Sequence, residues 1–201
     1  TLFPYTTLFR SPSSSPSREA ARVMKTIAEM SLQELAAYVA THLQKHHIPV
    51  VLVGGSCVSI YSNNKYQTKD LDFVERYHNQ RSLLRVALSD IGFTERNRYF
   101  VHPEAHYFLE FPLGPLAVGD SPVTELNEVV TETGVVTLLT AQDCICDRLS
   151  AYYHWHDQQS LQQAVWVALE HTFDVEYVRA WSEREGMLHK FDIFLSKLSV
   201  P

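Results

Sequence analysis

A chain of 201 residues, 45% of them hydrophobic and 20% charged, fits one large domain or a compact core with a helical extension. It has no apolar run approaching a membrane span and no charged-then-apolar leader, so a soluble, cytoplasmic protein is expected. Three cysteines, Cys57, Cys144 and Cys146, are too few and too oddly numbered for a disulfide framework.

The net charge of −6 hides an asymmetry. From Arg18 to Arg98 eleven Lys/Arg stand against eight Asp/Glu, whereas from Tyr99 onward five stand against fifteen. A polyanionic substrate would be drawn to the first half and repelled by the second. The bland alternative for the acidic half is a solvated helical surface.

Thr1 to Ser11 looks like the in-frame translation of a sequencing-library adapter, and Ser11 to Ser17 has the composition of a flexible linker. Residues 1–17 are therefore set aside as an artefact or a disordered tail, with Met24 or Met30 as a natural start. Ser31-Leu32-Gln33-Glu34 is a capping box that opens an amphipathic helix with Leu32, Leu35, Ala36, Val39 and Leu43 on one stripe. Val50 to Val53 reads as a short buried strand. It runs into Gly54-Gly55, a turn able to bring backbone N–H groups close to a ligand, and Ser56 is expected to open the next helix.

The following strand carries Asp70-Leu71-Asp72-Phe73. Alternation along a strand puts both carboxylates on one face and sends Leu71 and Phe73 into a core. Paired hard oxygen ligands suit a divalent cation, and the first turn of a helix beginning at Ser56 suits phosphate oxygens. The competing reading is a glycine turn followed by a strand whose polar face happens to carry two Asp. Unpaired carboxylates at that spacing repel and need compensating charge, which weighs against it.

A second helix is predicted over residues 80–91, from Gln80, with Leu83, Leu84, Ala87, Leu88 and Ile91 apolar and Gly92 closing it. Strands near Phe93 to Val101 and Tyr107 to Phe111 follow. Gly114 to Pro122 reads as a loop, and Glu128 to Glu132 with Val135 to Leu139 as a hairpin around Thr133-Gly134. The remainder reads as four helices, starting near Thr140, Asp157, Asp174 and Met187. The expected organisation is an α/β core over 18–139 and a helical region over 140–201. Cys144 and Cys146 fall on different faces of the first of these helices, against a metal role. His154 and His156 form a weak zinc pair with no further close-spaced ligand, and His42, His46 and His47 read as helix-end and solvent histidines.

Gly55-Ser56, thirteen intervening residues and Asp70-Leu71-Asp72-Phe73 resemble the signature of the nucleotidyltransferase superfold, a mixed sheet flanked by helices. Within it the chain, from about Ser31 to Leu198, is most similar to the small bacterial proteins grouped with AbiEii-like and MenT-like nucleotidyltransferase toxins. The resemblance implies a third carboxylate on a later strand. Glu110, the acidic residue inside His106 to Pro112, is the candidate, with Glu104 as a weaker substitute and a water-facing edge strand as the alternative.

The same resemblance implies two basic elements after the core. Asp147-Arg148-Leu149-Ser150-Ala151 matches the first, with Arg148 as the candidate for phosphate charge and an exposed arginine paired with Asp147 or Asp143 as the alternative. The second is represented by Asp157, without its usual adjoining arginine, and Asp157 could instead cap the next helix.

The implied activity is transfer of an NMP from an NTP to an acceptor hydroxyl. Asp70, Asp72 and Glu110 would hold Mg²⁺ or Mn²⁺, and Gly54, Gly55, Ser56, Arg148 and Asp157 would bind nucleotide. The tRNA 3′ end is the first implied acceptor and a protein side chain the second, with an antitoxin as a possible partner. The alternative is a non-catalytic, nucleotide-sensing or antitoxin-like member of the same fold.

Overall fold

The computed structural model describes residues 25–77 and 81–199, so the segment 1–17, Met24 and Gln80 lie outside the described residues. After a 3₁₀ turn at Ile27–Glu29, helix α1 spans Leu32–Lys45. The capping box closes as the sequence predicts. Glu34 N donates to Ser31 Oγ at 3.3 Å, and Ser31 N donates to Glu34 Oε2 at 3.0 Å. All five residues of the predicted stripe are buried.

Strand β1 (Val50–Val53) feeds α2 (Gly54–Tyr61), then β2 (Asp70–Glu75), α3 (Arg81–Ser89), β3 (Thr94–Arg96), β4 (Tyr99–Val101) and β5 (Phe108–Glu110). Two short strands, β6 (Ala117–Val118) and β7 (Ser121–Pro122), precede the hairpin of β8 (Leu126–Val130) and β9 (Val135–Leu139). The main sheet has seven strands in the order β3-β4-β5-β2-β1-β9-β8. It is mixed: β1 pairs parallel with β9, β2 pairs parallel with β5, and the other neighbours are antiparallel. The fold is α/β, a mixed sheet flanked by helices, as the sequence predicts.

Leu71 and Phe73 are fully buried. Phe73 stacks on Phe111 at 5.6 Å, and the Arg81 guanidinium of α3 lies 4.8 Å over Phe100 and 5.9 Å over Phe111. Helix α3 therefore covers the sheet face opposite Asp70 and Asp72, and α1 packs against α3, β1 and β9.

The chain then forms α4 (Ala141–Trp155), α5 (Gln158–Glu170), α6 (Val175–Arg184) and α7 (Leu188–Leu198). Thr140, Asp157 and Asp174 each accept backbone N–H bonds as N-caps. This arrangement satisfies donors that a helix start otherwise leaves open. Buried Lys190 donates from α7 to the carbonyls of Tyr152, at 3.3 Å, and Tyr153, closing the other end of α4. Tyr61 OH donates to Leu139 O at 2.7 Å, and Trp181 Nε1 to Val118 O at 3.1 Å. One continuous core joins sheet and helices.

Four local expectations are corrected. Helix α2 starts at Gly54, two residues before Ser56, because Gly54 adopts φ +63° and turns the chain at once. In α3, Leu84, Ala87 and Leu88 are buried but Leu83 is 54% exposed. One residue off the i, i+3, i+4 face rotates a side chain by about 100°. The predicted strand over Phe93 to Val101 is a hairpin, β3–β4, broken by Asn97 at φ +57°. The loop over Gly114 to Pro122 contains the two-stranded ribbon β6–β7, turned by Gly119 at φ +59°.

Candidate active site at the Gly54 turn

The adjacency of β2 and β5 brings the three predicted carboxylates together. Asp72 and Glu110 are register partners, Asp70 lies two residues up the same strand, and one carboxylate oxygen from each lies within 4.8 Å of the others. Opposite Asp72 on its other side is Val53, the last residue of β1. The turn at Gly54 is thus held against the cluster. A Cβ on Gly54 would stand 2.4 Å from Asp72 Oδ2, so the site requires glycine there for space as well as for its positive φ.

Ser56 is fully buried. Its hydroxyl donates to Val53 O at 2.8 Å and accepts from Asp72 N at 3.4 Å. The serine therefore pins the end of β1 to β2 and positions Asp72, in place of the helix-opening cap expected from sequence. Gly55 packs under Tyr66, whose ring would lie 3.1 Å from an added Cβ.

Burial, followed by the charges of Asp70 and Glu110, pushes the Asp72 carboxyl up to about 7, against the opposing pull of Arg148. Arg98 and Arg148 both act on the cluster by charge. Arg98 Nε stands 3.3 Å from Glu110 Oε1, and its guanidinium lies 4.7 Å over the Tyr99 ring. A hydrogen bond with the Tyr99 hydroxyl, then the charges of Glu110 and Asp70, raise its pKa. Thr68 donates to Asp70 Oδ1.

Arg148, on α4, is largely buried and grips Asp147 Oδ2 through Nη2 at 2.6 Å and Nε at 3.0 Å. Nη1 reaches Gln163 Oε1 at 3.4 Å. Burial acts to lower its pKa, but Asp147, with smaller help from Asp72, holds it above the ordinary arginine value. The guanidinium thus belongs to the electrostatic surroundings of Asp72 while hydrogen-bonded to Asp147. Asp157 caps α5: Oδ1 accepts from Gln159 N at 2.9 Å and Ser160 N at 3.3 Å, and Oδ2 from Ser160 Oγ at 2.7 Å. The Ser160 hydroxyl first, and distant Arg148 last, hold this carboxyl below its usual range.

Sequence reasoning missed Thr68 and Arg98. Thr68 precedes Asp70 by two, the spacing that keeps side chains on one face of an extended chain. Arg98 sits beside the β3–β4 turn and meets Glu110 only because β4 pairs with β5. His154 bonds Glu185 at 2.8 Å, and His156 Nδ1 lies 3.4 Å from Lys190 Nζ.

No family model matches the sequence, and no curated protein matches it. Among solved structures, the chain is similar to an antigenic nucleotidyltransferase-like protein from Paracoccidioides brasiliensis. The TM-score is 0.59 at 13% identity, over 83% of this chain and 91% of that one. Two structures of the antibiotic-resistance factor ANT(2'')-Ia also align. One, in complex with adenylyl-2''-tobramycin, has a TM-score of 0.48 at 13% identity over 77% of this chain and 93% of that one. The other, a solution structure, has a TM-score of 0.43 at 15% identity over 76% and 92%.

Proposed function

We propose that the chain is a metal-dependent nucleotidyltransferase that moves an NMP from an NTP to an acceptor hydroxyl. The observation that carries this reading is the convergence of Asp70, Asp72 and Glu110, oxygens within 4.8 Å of one another, against the Gly54 turn. Three acids so close repel one another enough to help raise Asp72 to about 7. A divalent cation relieves that repulsion. The donors are all hard oxygens, and the set fits Mg²⁺ or Mn²⁺.

In this reading Asp70, Asp72 and Glu110 hold the metal, which when bound neutralises phosphate charge and acidifies the acceptor hydroxyl. Gly54, Gly55 and the first-turn N–H groups of α2 bind the β- and γ-phosphates, while Ser56 keeps Asp72 in register. The acceptor oxygen bonds to the α-phosphorus as the bond to the pyrophosphate oxygen breaks, and Glu110 takes the acceptor proton. Arg148 exchanges part of its bond to Asp147 for phosphate oxygens, and Asp157 steadies it by charge.

The resemblance to AbiEii-like and MenT-like toxins supports the tRNA 3′ end as the first acceptor to test and a protein side chain as the second. An antitoxin partner and a cytoplasmic setting belong to the same proposal. Among the described residues no helix is long and apolar enough to cross a membrane.

One observation favours a second reading, a non-catalytic nucleotide sensor or antitoxin-like module. Arg148 is already paired with Asp147, and both Asp157 oxygens are committed to a helix cap. Incubation with each α-labelled NTP, Mg²⁺ and total RNA or lysate separates the two. Transferred label that disappears in Asp70→Asn supports the enzyme. NTP binding without labelled product supports the sensor.

A further inference from the structure

The C-terminal ends of α1 and α3 lie side by side, with His42 of α1 reaching Ala87 O of α3. There His42 and His46, one turn apart at the end of α1, meet Asp90, the residue after α3. One ligand atom from each lies within 4.8 Å of the other two. The imidazole centroids are 4.6 Å apart.

Two details go beyond proximity. His42 Nε2 lies 2.8 Å from Ala87 O, and a carbonyl can only accept, so Nε2 is the donor, and in the neutral ring Nδ1 is the nitrogen with the lone pair. A backbone carbonyl on one ring nitrogen is the usual means of orienting a histidine whose other nitrogen binds metal. His46 Nε2 and Asp90 Oδ2 are 3.7 Å apart. That is too long for a hydrogen bond. It is near the roughly 3.4 Å that separates neighbouring ligands around a tetrahedral ion with bonds of about 2.1 Å.

We propose that His42, His46 and Asp90 form a second metal site, distinct from the carboxylate cluster, for a zinc-class divalent ion. Two imidazole nitrogens and one carboxylate favour Zn²⁺ or Co²⁺ over the Mg²⁺ that suits an all-oxygen set. The His46 and Asp90 side chains are 38% and 52% exposed, which leaves an entry path and a position for water. The bound ion clamps α1 to α3, the helices that back the sheet behind Asp70 and Asp72. This site is independent of the nucleotidyl-transfer reading.

The test uses the full chain without an affinity tag, stripped with chelator and held in millimolar Mg²⁺, titrated with Zn²⁺ by calorimetry and with Co²⁺ by visible absorption. One equivalent should bind, raise the melting temperature and persist in Asp70→Asn. His46→Ala and Asp90→Asn should each weaken binding at least about tenfold and remove the thermal shift, with circular dichroism unchanged. Absence of binding overturns the proposal. So does an affinity unchanged in both variants, or one lost in Asp70→Asn.

Discussion

Asp72 Oδ2 lies 2.4 Å from the point where a side chain on Gly54 would begin. The end of β1 and the middle of β2 thus meet with no room for a methyl group. Gly54→Ala must move the carboxylate or the turn, and must also adopt φ +63°. The backbone alone costs roughly 1–2 kcal/mol. Gly55→Ala needs no positive φ and meets the Tyr66 ring at 3.1 Å and Thr68 Cβ at 3.6 Å, side chains able to shift. Thermal melts and Mg²⁺ titrations should show Gly54→Ala less stable and at least about tenfold weaker in metal binding, with Gly55→Ala milder in both. Equal effects would detach Gly54 from the site.

Asp72 gives a pH dependence of defined sign. Its carboxyl is raised from its ordinary 3.8 to about 7 in the folded chain, by burial first and then by Asp70 and Glu110. Between those values the folded state binds more protons than the unfolded state, so stability falls as pH rises through the window. Asp72→Asn removes that loss. In EDTA, the stability difference between variant and wild type should grow from pH 4 to pH 7 by at most about 1.4 kcal/mol per unit. Mg²⁺, which binds the ionised cluster, should reduce it. Parallel denaturation curves at every pH would refute the raised carboxyl.

Much of this site is legible in the sequence because its parts are local. Alternation in Asp70 to Phe73 gives the shared face, and two glycines after four apolar residues give the turn. Glu110 is reachable only through the resemblance, since nothing local says that β5 lies beside β2. Arg98 escapes for the same reason: its approach to Glu110 is a consequence of strand order. Ser56 is misread because capping preference favours serine at a helix start, whereas Gly54 at positive φ turns the chain two residues sooner. The shift leaves the serine hydroxyl to bridge Val53 and Asp72.

Asp157 separates a structural from a functional carboxylate. Its oxygens accept from Gln159 N, Ser160 N and Ser160 Oγ. Asp157→Ala should cost about 1 kcal/mol through the lost cap. Asp157→Asn keeps Oδ1 as acceptor for the two helix N–H groups, lets its amide donate to the Ser160 hydroxyl in place of accepting from it, and removes the charge felt by Arg148. If that charge steadies Arg148, the Asn variant should melt close to wild type yet transfer nucleotide more slowly. An Asn variant with wild-type turnover would reduce Asp157 to a cap.

Arg148 decides between the two functional readings. It is held between Asp147 and Gln163 and lowers the pKa of Asp72, so its charge is felt at the cluster even while Asp147 holds it. A phosphate chain entering at the Gly54 turn competes with Asp147 for the same guanidinium. If the gain is largest as pyrophosphate leaves, Arg148→Ala should lower the transfer rate far more than NTP affinity, because only interactions stronger in the transition state accelerate chemistry. Arg148→Lys keeps the charge but not the planar fork and should recover part of the rate. Asp147→Asn frees the guanidinium and should tighten NTP binding. In a sensor, Arg148→Ala weakens NTP binding with no turnover to lose. Equal affinity and equal rate in Arg148→Ala, with a lower melting temperature, would make Arg148 a packing residue of α4 and leave transfer to Asp70, Asp72 and Glu110.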